Sequence, residues 1–430
     1  MTDIGGTAAP TGPVGRGSVA RVGAATVVTA ICGYAVLYLA ARDLNPAGFS
    51  IFGVFWGAFG LVTGAANGLL QETTREVRFA QHTRPGVGAP PGRHTRPLWV
   101  AGLAGVVAAA LVAGSSPLWS AQVFVEARWL SVGLLSVGLA SFAVHATLLG
   151  MLAGANRWTQ YGALMVTDAV IRVAVAVAAF AVGWGLVGFL WATVAGAVAW
   201  LIMLAGSPAT RAGARMLTPV GTVAFLRGAA HSITAAGASA ILVMGFPVLL
   251  QSTYGELGAE GGVVILAVTL TRAPLLVPLT AMQGNLIAHF VDQRTQRLRA
   301  LVAPAVIVIA VGGLGAVAAG LIGPWLLRVV FGPDYCAGGA LLAGLTTAAV
   351  AIALLTLTGA AAVAAALHRA YALGWVGATV ASALLLLLPL DLGTRTVVAL
   401  LCGPLVGIAV HLTALRADAA TGTVPPPSTR

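Results

Sequence analysis

Apolar stretches recur along nearly the whole chain, separated by short segments that hold most of its polar residues. A bilayer core ~30 Å thick needs about 20 apolar helical residues to cross it. Blocks of that size fall at 22–41, 49–70, 98–118, 129–153, 162–181, 184–205, 230–251, 262–288, 301–322, 339–367, 370–390 and 396–415. They predict an all-α integral membrane protein with twelve transmembrane helices. Neighbouring spans nearly fuse at 182 and at 368–370.

The segments between spans alternate between rich and poor in arginine, and all 23 lysine-or-arginine positions are arginine. With the N-terminus in the cytoplasm, the inner segments hold Arg16, Arg21, Arg75, Arg78, Arg84, Arg93, Arg96, Arg157, Arg211, Arg215, Arg294, Arg297, Arg299, Arg369, Arg416 and Arg430. The outer segments hold Arg42, Arg128, Arg328 and Arg395, while Arg172, Arg227 and Arg272 fall within or against spans. Arginine resists transfer across the membrane, so this bias predicts both termini in the cytoplasm and a multi-pass protein of the plasma membrane. At 59% hydrophobic and 8% charged residues, the composition excludes a soluble domain. The net charge of +11 therefore reports loops facing anionic lipid headgroups, not a nucleic-acid partner.

The expected organisation is an irregular N-terminus at 1–21, spans one to six at 22–205, a cytoplasmic linker at 206–220, spans seven to twelve at 221–415 and an irregular tail at 416–430. No cleavable signal is expected, because the first apolar run exceeds a signal h-region. The longest loop, 71–97, carries Pro85, Pro90, Pro91 and Pro97 and reads as irregular. Three echoes between the halves favour a duplication. Pro117, Trp119 and Phe124 follow span three as Pro324, Trp325 and Phe331 follow span nine. Arg157 and Tyr161 precede span five as Arg369 and Tyr371 precede span eleven. Spans two and eight end in Asn67-Gly68-Leu69-Leu70 and Gly284-Asn285-Leu286-Ile287. Parallel repeats of six helices place a substrate path between the halves.

Polar residues inside spans carry the functional signal, because a charged side chain at a helix centre costs about 2.5–3.5 kcal/mol on the insertion scale. Asp168 and Arg172 in span five are four residues apart and share a face. They read either as a structural ion pair or as a cavity wall that meets an anionic substrate. Arg272 in span eight has no acid in reach on its own helix and is followed by Pro274 and Pro278, which predicts broken backbone beside it. Thr269, Arg272, Thr280 and Gln283 form an interrupted polar stripe. Thr63, Asn67, Gln71, Arg75 and Arg78 make a ridge on span two that reads as a water-facing path. Beside it run Gly53, Gly57, Gly60, Gly64 and Gly68, which predict close helix contact. Arg227 and His231 stand at the cytoplasmic entrance of span seven, and Tyr34, Tyr38 and Arg42 suit an interfacial belt. Asp334 suits an N-cap for span ten. Cys32, Cys336 and Cys402 lack metal-ligand spacing, and no cofactor or metal site is expected.

Leu44-Asn45-Pro46-Ala47-Gly48-Phe49, followed by Ile51-Phe52-Gly53, resembles the leucine-glycine-proline-x-x-phenylalanine-glycine turn of polysaccharide transporters in the multidrug/oligosaccharidyl-lipid/polysaccharide exporter superfamily. Phe331-Gly332-Pro333-Asp334-Tyr335 before span ten is similar to that family as well, and Asn45 stands where glycine is usual. The resemblance implies a two-lobed, alternating-access flippase for a lipid-linked oligosaccharide or related cell-envelope precursor. Its implied partners are membrane lipids, a polyprenyl-phosphate-linked glycan and glycan-assembly enzymes. Arg172 and Arg272 suit contact with the phosphates by charge and depth. A cation-coupled drug or metabolite antiporter of the same superfamily is the alternative, with Asp168 as its coupling carboxylate. A membrane-embedded glycosyltransferase or ligase would need larger outer loops, and with no catalytic constellation present a carrier is expected, not an enzyme.

Overall fold

The computed structural model describes residues 16–82, 94–293 and 296–421. Its helices are α1 (Arg16–Asp43), α2 (Pro46–His82), α3 (Pro97–Val123), α4 (Arg128–Gly154), α5 (Trp158–Val182), α6 (Gly185–Ala195), α7 (Ala199–Gly206) and α8 (Pro208–Ala214). They continue with α9 (Thr222–Val243), α10 (Phe246–Tyr254), α11 (Gly258–Ala281), α12 (Gln283–Asp292), α13 (Arg297–Phe331), α14 (Gly339–Ala364), α15 (His368–Leu385) and α16 (Leu392–Thr421).

The protein is a multi-pass, all-helical membrane protein, and its spans depart from twelve straight helices in several places, one of them the expected span 262–288, which is divided at Met282 between α11 and α12. Ten described helices are long and apolar enough to cross a membrane, counting α6 and α7 as one around a 3₁₀ turn at Gly196–Val198. The α9–α10 pair, bent by 62°, makes an eleventh. The twelfth expected span is α15, which opens on His368 and Arg369 and gives way to turns after Leu385. It packs against α9, α14 and α16, so it belongs to the bundle.

Several segments expected to be irregular are helical. Helix α1 already begins at Arg16, and α2 runs on to His82 through the first part of the 71–97 loop. Helix α16 reaches Thr421, where Arg297 of α13 donates to Asp418 at 3.0 Å and holds the added turns against the bundle. The linker contains α8, capped by the Ser207 hydroxyl accepting from the Thr210 amide. The rest of the expected N-terminus and tail lies outside the described residues.

Helix pairings in the first half recur in the second. Helix α1 packs on α5 as α9 packs on α15, α2 on α4 as α11 on α14, α3 on α4 as α13 on α14, and α5 on α6 as α15 on α16. The turn between α4 and α5 has a counterpart between α14 and α15. Asn156 and Ala366 both adopt left-handed backbone, at φ 57° and 59°. Arg157 donates to the Leu152 carbonyl as Leu367 does to Ala362, and Tyr161 to Arg157 as Tyr371 does to Leu367.

The main core joins the two halves through α2, whose glycine row lies along the other half. A Cβ at Gly53 would meet Ile265, at Gly57 Pro247, at Gly60 Met244, at Gly64 Ala240, and at Gly68 the backbone of Ile233. Small residues three or four positions apart thus let α2 approach α9, α10 and α11 more closely than side chains would allow. Farther along α2, Gly228 of α9 leaves the space filled by the Glu72 carboxylate.

At the other end of α2 the two turns singled out by sequence meet. Asn45 caps α2 by accepting the Gly48 amide at 2.8 Å, which gives the asparagine a role a glycine lacks. Tyr335 is buried and donates its hydroxyl to the Leu44 carbonyl at 3.2 Å. Burial, then the neighbouring Asp334 charge, pushes the Tyr335 phenol up, so it remains a donor. Its ring meets Phe49 and Phe331, and Phe331 meets Tyr38 edge-on, with centroids 6.0–6.1 Å apart. Asp334 does not cap α14, because that helix starts later, after Gly338 in extended backbone. Asp391 caps α16 instead, and the Thr394 amide donating to it at 2.8 Å holds its carboxyl below the usual range.

This aromatic clasp predicts a measurable opening. In a chain whose cysteines are replaced by serine, Phe49→Cys is expected to react slowly with a membrane-impermeant maleimide. Adding Tyr335→Ala should raise the rate roughly tenfold or more, since it removes the remaining ring contact with Phe331 and the hydrogen bond to Leu44. Equal rates would show that the clasp does not hold this end shut.

Candidate functional site

A cavity of about 320 Å³ lies between the halves, walled by α1, α2, α5, α11 and the α9–α10 break. Its walls are mainly apolar: Leu37, Phe49, Trp56, Met165, Val243, Met244, Pro247, Ile265, Val268, Leu276 and Val277 contribute. Thr26, Thr29, Tyr34, Thr269 and Thr280 add hydroxyl groups, and Arg272 adds the only charge among the lining residues. Phe49 of the clasp borders one end, and Thr26 and Thr280 carry the lining toward the N-terminus of α1 and the C-terminus of α11.

Arg272 is held by a break in a neighbouring helix. The last carbonyls of a helix lack intrahelical partners, and α9 ends at Val243 before Gly245, Phe246 and Pro247 turn the chain into α10. Arg272 Nη1 donates to the Val243 carbonyl at 3.1 Å and reaches Leu242 at 3.5 Å. Its guanidinium also lies over the Phe246 ring, 5.3 Å from the centroid. The side chain is 7% exposed in total, yet Nη2 has no hydrogen-bond partner. One donor of a buried cation is thus left over in a cavity wall. The backbone expected to break at Pro274 and Pro278 does not, since α11 runs unbroken through both to Ala281. The break lies opposite, in the helix that Arg272 touches.

Arg172 plays the same part at the other broken span but does not line the cavity. It pairs with Asp168 through Nε and Nη2 at 3.0 and 3.1 Å and donates Nη1 to the Thr193 carbonyl, just before the 3₁₀ turn that separates α6 from α7. Phe59 covers the guanidinium at 5.2 Å. Gly196 gives the pair its room, for a Cβ there would meet both side chains. Ser141 of α4 completes the patch, donating to the Ala197 carbonyl and accepting from Trp200 Nε1. Asp168 and Arg172 are 13% and 15% exposed, enclosed within the first half of the chain.

The other sequence candidates are spread along the bundle. Thr63 returns its hydroxyl to the Phe59 carbonyl, Asn67 is half-buried, and Gln71 is exposed. Arg75 is exposed and bridges Glu72 and Glu76 at 2.7 Å each, two buried acids that the polar ridge had not included. Arg227 is exposed at the start of α9, where its carbonyl meets His231 Nδ1 at 2.8 Å. Gln283 opens α12, and its side chain lies outside the described residues. Tyr34 and Trp56, passed over or read as a belt residue, face the cavity. Their signal in the sequence is weak, because aromatic residues are equally at home against lipid. Among the described residues no three His, Cys, Asp or Glu side chains converge as metal ligands.

Comparison with known proteins supplies a family and a fold. No family model matches the chain. Two uncharacterised proteins of Mycobacterium tuberculosis strain H37Rv are each 72% identical to it, one over 422 residues (96% of this chain, 97% of that protein), the other over 415 (96% and 95%). Among solved structures, an inward-facing multidrug resistance MATE family transporter of the MOP superfamily aligns with a TM-score of 0.69, at 16% identity, over 92% of this chain and 96% of that one. An outward-facing multidrug resistance MATE family transporter of the MOP superfamily gives 0.65 at 15% identity over 95% and 96%. A MOP superfamily transporter from Pyrococcus furiosus, whose binding pocket is described as of reverse polarity suggesting a different function, gives 0.61 at 15% identity over 95% and 96%. The chain belongs to the same family as the mycobacterial proteins, a family of multi-pass membrane proteins with the fold of the MATE transporters.

Proposed function

We propose that this protein is an alternating-access carrier of the plasma membrane that moves an amphipathic, phosphate-bearing substrate, in the first place a lipid-linked glycan or related envelope precursor. The observation that carries the reading is Arg272, the one charged residue lining a mainly apolar cavity between the halves, whose buried Nη2 has no hydrogen-bond partner. A buried guanidinium without a counter-charge favours an anion, and its planar donors suit phosphate oxygens. Apolar walls suit the rest of an amphipathic molecule. The MATE-type fold supports a carrier mechanism, and the Pyrococcus neighbour offers a precedent for altered pocket polarity on that fold. Drug antiport by cation coupling is less well served. Asp168 is occupied by Arg172, and no acid is among the cavity-lining residues.

The test uses purified protein in liposomes with a fluorescent short-chain polyprenyl-diphosphate sugar and an impermeant quencher. Arg272→Gln is expected to slow headgroup movement by at least about tenfold, the loss of one charge-assisted contact. Arg272→Lys, which keeps the charge but not the fork, should fall between. Thermal unfolding of each variant separates loss of transport from loss of the α9–α10 cap. Wild-type movement in a folded Arg272→Gln protein would refute the assignment. Proton-driven export of a hydrophobic cation, lost in Asp168→Asn, would establish the antiporter reading.

A further inference from the structure

We propose that a second site, at the start of α3, binds the phosphate of an anionic phospholipid from the cytoplasmic leaflet. The pocket holds about 380 Å³ and is lined by Arg96, Trp99, Arg215 and Leu217, with Leu98 and Met216 beneath. Two guanidiniums therefore converge on one opening. Both are exposed, and among the described residues neither has an ion-pair partner. A concave site of one sign, without internal neutralisation, concentrates counter-ions.

The loops that present these arginines are built, not incidental. Thr95 and Thr218 form the sole β-bridge among the described residues, exchanging backbone hydrogen bonds of 3.1 and 3.0 Å. The Thr95 hydroxyl donates to the Val220 carbonyl at 2.7 Å, and both threonines are buried, at 2% and 0% exposure. Arg96 follows one partner of the bridge and Arg215 lies just before the other, so the backbone that carries both is set before a ligand arrives. Such preorganisation removes much of the ordering cost of binding. The positive end of α3 adds to the field.

Surface position selects a lipid over a soluble anion. Trp99 is 75% exposed and Leu217 is 44% exposed beside the arginines, an apolar rim next to a cationic pocket. Tryptophan with arginine marks the headgroup level of a bilayer. The arginine distribution assigns this face to the cytoplasm, where anionic lipids draw basic residues. Arg215 also belongs to the segment joining the two halves, whereas Arg96 belongs to the first half. A headgroup held by both fastens that joint to α3.

Thermal unfolding of the full chain in neutral detergent tests the site with phosphatidylglycerol, phosphatidylcholine and inorganic phosphate. Phosphatidylglycerol is expected to raise the midpoint saturably by roughly 2 °C or more, with no comparable shift from the other two. Arg96→Gln with Arg215→Gln should remove at least half of that shift, whereas Arg369→Gln with Arg416→Gln, two exposed arginines elsewhere on the same face, should retain it. Arg96→Lys with Arg215→Lys should retain most of it, which distinguishes lost charge from damaged loops. Native mass spectrometry of lipid retained by each variant gives the same comparison independently of stability. The site is refuted by equal shifts from the two lipids, by an undiminished shift in the Gln variant, or by reproduction of the shift with phosphate alone.

Discussion

Gly68→Ala is expected to destabilise the protein by about 3 kcal/mol or more, at the upper end of what overpacking costs. The added Cβ would lie 2.5 Å from both the Ile233 Cα and the Ser232 carbonyl carbon, with the Ile233 amide closer still. These are backbone atoms of α9, so no side chain can rotate away and one helix must shift as a body. Because α2 also meets α9, α10 and α11 through Gly53, Gly57, Gly60 and Gly64, that shift would loosen the seam between the halves. Gly114→Ala in α3 is the matched control. Nothing stands within 4 Å of a Cβ there, and the substitution should stabilise the helix by up to about 1 kcal/mol. Thermal unfolding of the two variants in one detergent compares them directly. Similar midpoints would mean that the α2–α9 seam yields more easily than its backbone contacts imply.

What could be read from the sequence follows from what the membrane penalises. The glycine row was legible as a close-packing face because small residues at regular spacing have little other use in a long apolar helix. Arg272 and the Asp168–Arg172 pair were legible because charge at that depth requires a reason. The partner helix and destination of each charge were not. Arg172 and Arg272 look alike as sequence, but one is tied to Asp168 and Thr193 and the other lines a cavity with one buried donor unpartnered. Proline misled in α11, where the helix continues through Pro274 and Pro278. The actual break, at Gly245-Phe246-Pro247, lay inside a stretch that reads as one continuous span. Helices apolar on every side give no stripe to separate core from lipid. The periphery of α3 and α13 and the central place of α4 and α14 therefore emerge from the structure alone. Cys402, inside the expected span 396–415, is likewise exposed on α16. The meeting of the Leu44–Phe49 and Phe331–Tyr335 turns joins residues nearly 300 positions apart, beyond the reach of any local pattern.

The Asp168–Arg172 pair carries the other large expected effect. Removing one member of a buried ion pair leaves the other uncompensated, which typically costs about 3–5 kcal/mol, whereas replacing both with apolar residues of similar size is often neutral. Asp168→Ala should therefore destabilise strongly, because Arg172 keeps its charge beneath Phe59 with the Thr193 carbonyl as its remaining partner. Arg172→Ala should cost a comparable amount, since it strands the carboxylate and frees the Thr193 carbonyl at the 3₁₀ turn. Asp168→Leu with Arg172→Met should recover most of the loss, and a double-mutant cycle of the wild type, Asp168→Leu, Arg172→Met and their combination, measured by thermal unfolding, gives the coupling. The double variant and Arg272→Gln together distinguish the roles of the two membrane arginines. If Arg172 is a structural cap, the Leu/Met protein should still move the phosphate-bearing probe at near wild-type rate while Arg272→Gln does not. Fully stable single variants with abolished transport would instead place Asp168 and Arg172 on the substrate path, and the assignment of the charge-bearing wall to Arg272 would have to be widened to include them.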